Sequence, residues 1–149
     1  MTTLQAPTEG QLHSDVPFGE LGAALRGRLI TAVDDDYDAA RAVYNAMIDR
    51  RPAAIAQCVH AADVARCVDF ARRHGLTVAV RGGGHNAAGL GVWDDALVID
   101  LSVMRSTTVD PENKTVRVDG GCTWGDVDSA TVPYGMATPS GFLASTGVG

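Results

Sequence analysis

The sequence predicts an α+β fold in which small mixed sheets are covered by helices, on three observations. A buried-strand pattern, an amphipathic helix and a second strand follow one another between residues 53 and 80. Two alternating runs flank the turn residues Pro111, Glu112, Asn113 and Lys114, which is a hairpin signal. Hydrophobic residues fill 46% of the 149 positions and charged residues 20%, the proportions of a chain with one ordinary packed core.

The elements follow in chain order. Residues 1–15 are polar and aperiodic and read as a flexible tail. Phe18, Leu21 and Leu25 space out a short helix, opened by Asp15 and Pro17 and interrupted at Gly27. Tyr37, Val43, Tyr44 and Met47 form the apolar stripe of a second helix, which Pro52 stops. AAIAQCV (53–59) is a buried strand. The clearest helix follows, with Val64, Cys67, Val68 and Ala71 on one face, Asp63 near its start, Arg72, Arg73 and His74 in the last turn and Gly75 at its end. LTVAV (76–80) should then lie parallel to the first strand, because a strand, helix and strand in sequence normally share one sheet. ALVIDLS (96–102) is another buried strand, and Val109, Val116 and Val118 give the hairpin its apolar face. Thr123 caps a short helix over TWGDVDSATVPYG, and MATPSG is extended. The closing PSGFLASTGVG is glycine-rich with nothing after it to connect to, so the chain reads as cut short.

Composition narrows the function. A net charge of −6 and a pI near 5.0 argue against nucleic acid, which requires clustered Lys and Arg. No segment approaches the roughly 20 apolar residues of a membrane span, and the amino terminus lacks a signal-peptide pattern. Cys58, Cys67 and Cys122 are an odd set without CxxC spacing, which points to a reducing, cytoplasmic setting.

The motif that carries chemistry is VAVRGGGHNAAGLGVWDD (78–95), with Gly82, Gly83 and Gly84 between Arg81 and His85. A run of three glycines signals close approach to the backbone, and the expected visitor is a phosphate. GGGHNA also fits the loose dinucleotide fingerprint of a nicotinamide enzyme. That reading requires a helix directly after the glycines, and Gly89 and Gly91 break any such helix. A loop whose successive N–H groups form an anion-binding nest fits better. A plain surface turn accounts for one glycine or two, hardly three.

The runs VRGGGHNAAGLGVWDDALVIDLSVM, VRVDGGCTWGDVD and YGMATPSGFLASTGVG, in this order, resemble the FAD-binding domain of the vanillyl-alcohol oxidase and p-cresol methylhydroxylase superfamily, in its berberine-bridge-enzyme-like branch. The likeness covers Pro52 to Gly149. It implies that residues 16–149 are the amino-terminal part of such a domain, incomplete at the carboxyl end and without the substrate domain. It also implies FAD contacts at Arg81, Gly82, Gly83, Gly84, His85, Asn86, Leu90, Pro139, Ser145, Thr146, Gly147 and Gly149, with backbone amides of 81–86 around the pyrophosphate. His85 matches the histidine commonly bonded to the flavin 8α carbon, and neutral imidazole is a competent nucleophile for that bond.

Some relatives carry a second bond, from a cysteine at the position that Leu143 occupies here; Cys122 matches a small residue of the GGxTWGDVD segment, so one covalent bond is expected. His13, His60 and His74 read as structural or solvated, and Trp93 and Trp124 as covering a core edge. Asp94, Asp95, Asp126 and Asp128 lack calcium-loop spacing and read as caps, so no metal is expected. The implied full-length activity is oxidation of an alcohol, sugar or similar small molecule by hydride transfer to flavin N5, with catalytic residues beyond Gly149. The alternatives are a non-catalytic flavin-binding fragment and, less favoured, a nicotinamide enzyme.

Overall fold

The structure is a computed structural model that describes residues 16–149, so the expected tail over 1–15, with His13 and Asp15, lies outside the described residues. Helix α1 (Phe18–Ala24) leads into strand β1 (Arg28–Ile30), helix α2 (Tyr37–Arg41), strand β2 (Ala54–Gln57) and helix α3 (Ala61–His74). Strands β3 (Val78–Arg81) and β4 (Leu97–Asp100), the hairpin β5 (Thr107–Asp110) and β6 (Thr115–Val118), and helix α4 (Trp124–Thr131) complete the set, α4 running on into a short 3-10 turn, Val132–Tyr134.

Four strands make one sheet in the order β1-β2-β4-β3, and β5-β6 make a second. As the strand, helix and strand pattern predicts, β2 and β3 run in the same direction, and β4 lies between them, parallel to both. Antiparallel β1 extends the sheet beyond β2. Alternation divides the sheet between two cores. Ala54, Ala56, Leu97 and Ile99 face Leu21 of α1 and Cys67 and Phe70 of α3. Ile55, Ala79 and Val98 face Ile30, Tyr37 and Val92 on the other side.

The start of α3 is fixed by a group whose importance the sequence does not announce. The Asp63 side chain is fully buried and accepts from the N–H groups of Arg26 and Gly27 at 3.0 and 3.2 Å and of Val59 at 3.2 Å. Burial works to raise its pKa, but these three N–H groups and the Arg66 guanidinium outweigh it and hold the carboxyl below its ordinary value. Thus one carboxylate ties β1, β2 and α3 together. Close to it, Gly27 has no space for a Cβ because the Gln57 carbonyl lies against it.

Two expectations need correction. The second helix does not reach Pro52: it ends at Arg41, and Ala42 is extended at φ −63, ψ 143. The Arg81 guanidinium takes the Ala40 and Ala42 carbonyls, and the Tyr44 N–H goes to Gly84 O, so partners in the sheet replace the helix ladder. Tyr44 and Met47, expected on a buried stripe, are 76% and 91% exposed. The strand β1 was not expected, since three residues, RLI, carry too little periodicity to read. The hairpin turn is where expected, with Lys114 at φ 53 and Asp110 accepting from the Asn113 backbone and side chain.

Candidate functional site

The site begins where β3 and β4 end side by side, with Arg81 in register with Asp100. Arg81 Nη2 donates to Asp100 Oδ2 at 2.6 Å, and both side chains are buried. The Arg81 side chain is therefore spent within the protein, on Asp100 and on the Ala40 and Ala42 carbonyls. Its backbone opens the glycine loop.

Each glycine there has its own reason. A Cβ on Gly82 would lie 2.5 Å from Gly120 O and 2.6 Å from Gly149 O, and one on Gly83 would lie 2.7 Å from the Gly147 Cα. Gly84 instead needs its φ of 70. The atoms that crowd the Cα side of Gly82 and Gly83 are thus backbone atoms of Gly120, Gly147 and Gly149. The amide side of the loop stays available: among the described residues, no group accepts from the N–H of Gly82, Gly83, Gly84 or His85. Four successive unpaired donors are what an anion site needs. No helix follows Gly84; the chain passes through turns to β4, so the structure gives no support to the nicotinamide-type fingerprint.

The Nδ1 atom of His85 is buried and has no hydrogen-bond partner. The Tyr44 ring stacks on the imidazole, with centroids 4.7 Å apart and planes at 25°. Asn86 shapes the next turn, its Oδ1 accepting from Leu90 N at 3.1 Å. Two clefts of about 290 Å³ each border the loop. One is lined by Tyr44, Gly82, Gly83, Gly84 and Ser102, the other by Val80, His85, Asn86, Leu90 and Gly149.

The carboxyl-terminal residues divide. Gly147 bridges Thr123, and Val148 N donates to Cys122 O at 2.9 Å, which seats Gly147 and Gly149 against the first loop. Thr146 is used structurally: its carbonyl, with that of Ala144, accepts from Trp124 N and Gly125 N at 3.0 and 2.8 Å. Thr123 and Asp126 add a reciprocal capping box. The amino end of α4 is thereby closed to an anion. Pro139 and Ser145 are exposed and line neither cleft.

Arg105 donates to Asp126 at 2.7 Å, and the Thr123 N–H, followed by Arg105, holds the Asp126 carboxyl at about 2, below the ordinary 3.8. Asp94 accepts from Arg51 N and from Arg50, whose guanidinium lies 4.7 Å over the Trp93 ring. Cys122 is buried with its Sγ 3.5 Å from Ser106 O. Cys58 and Cys67 are buried with their Sγ atoms 4.0 Å apart, and that contact together with burial pushes the Cys58 thiol up. Among the described residues, no group of three or more His, Cys, Asp or Glu is arranged to hold a metal ion, and no helix is long and apolar enough to cross a membrane.

The residues at the loop fit a dinucleotide such as FAD: unpaired backbone donors suit a diphosphate, and beside them lies a buried imidazole nitrogen without a partner. Comparison with known proteins agrees. A family profile described as an FAD binding domain matches residues 52–149. The (R)-6-hydroxynicotine oxidase of Paenarthrobacter nicotinovorans is 33% identical over 124 residues, covering 83% of this chain and 27% of that protein. The solved structure of the wild-type Physcomitrella patens BBE-like 1 protein superposes with a TM-score of 0.80 at 26% identity, over 87% of this chain and 29% of that one. The pollen allergen Phl p 4, a grass protein with glucose dehydrogenase activity, gives a TM-score of 0.76 at 26% identity, over 81% and 27%. The chain spans less than a third of the length of each of these relatives. It belongs to the FAD-binding domain family of the p-cresol methylhydroxylase superfamily, among the berberine-bridge-enzyme-like and 6-hydroxynicotine oxidase FAD-linked oxidoreductases.

Proposed function

We propose that this chain is the amino-terminal, diphosphate-holding portion of an FAD-linked oxidoreductase, and that His85 carries a single covalent bond to the flavin. The observation that carries the reading is the row of unpaired N–H groups from Gly82 to His85 beside the partnerless His85 Nδ1. Gly82, Gly83, Gly84 and His85 would donate to the diphosphate. Gly147 and Gly149 hold the loop in shape, and Asn86 and Leu90 border the cleft beside His85.

Bound FAD would supply hydride acceptance at N5, from a carbon bearing an oxygen or nitrogen substituent in a sugar, alcohol or similar small molecule. In forming that bond His85 would contribute the attacking lone pair: one C–N bond would replace a C–H and an N–H bond, the two electrons and two protons released being taken up by an acceptor such as dioxygen. Cys122 takes no part, being packed against Ser106. Substrate pocket and catalytic base are assigned to the portion of the relatives that this chain does not span. The cytoplasm, a reducing compartment, suits the three free thiols.

Titrating the purified chain with FAD and with riboflavin, followed by flavin fluorescence, tests the reading. FAD should bind more tightly by about tenfold for each charge-assisted hydrogen bond that riboflavin cannot make. Equal binding of the two, or none of either, overturns the assignment of the loop.

A further inference from the structure

A histidine that must present one nitrogen to a reacting atom is usually oriented by a hydrogen bond at the other nitrogen. Among the described residues neither ring nitrogen of His85 has a partner, so whichever of them takes the flavin, something else must set the ring plane. The structure points to the segment after α2. Arg81 holds the Ala40 and Ala42 carbonyls at 2.7 and 3.2 Å. Tyr44 N donates to Gly84 O at 3.1 Å, and Asn45 Nδ2 donates to Ala87 O at 3.2 Å. These four bonds lace residues 40–45 onto the loop on both sides of His85, and they explain why a sequence with a helical stripe leaves the helix at Ala42.

What the lacing delivers is the Tyr44 ring, stacked on the imidazole at 4.7 Å and 25°. On the Gly83 side there is little room either, a Cβ there lying 3.1 Å from His85 Nδ1. Tyr44 is 76% exposed, so it contributes little to the core and its place is not explained by burial. We propose that Tyr44 is a positioning residue for His85: its ring, held by the 40–45 strap, fixes the imidazole plane in which the flavin bond forms. This rests on the reading of His85 as the flavin anchor. The stack needs a flat ring and not the hydroxyl, so phenylalanine should serve and leucine should not.

The test uses the purified chain as wild type, Tyr44→Phe and Tyr44→Leu. In FAD-free protein, the His85 ring protons should show an upfield ring-current shift by NMR in wild type and Tyr44→Phe, lost in Tyr44→Leu. With saturating FAD added, covalent attachment should slow by about tenfold or more in Tyr44→Leu alone, while the melting curve stays as in wild type. Attachment in Tyr44→Leu at the wild-type rate, or His85 shifts unchanged by that substitution, overturns the proposal. If wild type binds FAD but never attaches it, the anchor reading fails by itself, and Tyr44 loses its role in flavin attachment even where the NMR shift shows the stack.

Discussion

At the scale of the residue, Gly83 is held to glycine by backbone packed against it. The place where its Cβ would sit is filled by the Cα and N of Gly147, at 2.7 and 2.8 Å, and the relation is mutual, since a Cβ on Gly147 would meet Gly83 at 2.7 Å. Backbone cannot move aside as a flexible side chain can, so Gly83→Ala should destabilise by about 1–3 kcal/mol and push the two glycine segments apart. Denaturant unfolding monitored by tryptophan fluorescence checks this, and an unchanged midpoint would contradict the backbone contact. The need for close approach was legible in the run GGG, because glycine in such a run has few other uses. What approaches was not legible, since the partner lies far along the chain and only the folded sheet brings it near. Nor could the run alone separate Gly84, which needs its positive φ, from Gly82 and Gly83, which need space.

At the scale of the element, α4 shows how a helix end can be withdrawn from ligand binding. Its first N–H groups go to Thr146 O and Ala144 O, and Thr123 with Asp126 closes the remainder. Because the Asp126 carboxyl is held at about 2 instead of 3.8, its contribution to stability is fully present above 3.8 and is lost as pH falls through about 2. Asp126→Ala should cost about 1 kcal/mol near neutral pH, and the gap between mutant and wild-type melting temperatures should close as the solution is acidified through that window. A gap that persists at the acid end would mean that the ionised carboxylate is not what matters. The cap was legible in TWGD; the withdrawal of its N–H groups by residues 144–146 was not. The opposite failure occurred in α2, where the stripe Tyr37, Val43, Tyr44, Met47 suggested a helix that partners from β3 and the glycine loop cut short. There tertiary hydrogen bonds overrode local pattern.

At the scale of the whole molecule, the Arg81 and Asp100 pair joins the parts that make the site. Both side chains are buried, and through them β3, β4 and the strap after α2 meet directly beneath the glycine loop. Removing one partner of a buried pair leaves a charge without compensation, so Asp100→Ala should destabilise by about 3–5 kcal/mol and weaken FAD binding with it. Chemical unfolding and an FAD titration on the same protein check this; loss of stability with FAD binding intact would separate the pair from the site. The α+β architecture and the parallel β2 and β3 were legible from alternating and helical periods. The central position of β4 was not, because sequence order does not state strand order.

Flavin attachment at His85 is directly measurable. Trypsin should release residues 82–105 as one peptide, since Arg81 and Arg105 bound a stretch without Lys or Arg. After incubation with FAD and denaturation, mass spectrometry of that peptide should show the flavin attached, with absorbance at flavin wavelengths, and His85→Ala should abolish both signals while leaving FAD bound non-covalently. An unmodified 82–105 peptide, taken from protein that had held FAD before denaturation, would contradict the claim that His85 is the flavin anchor.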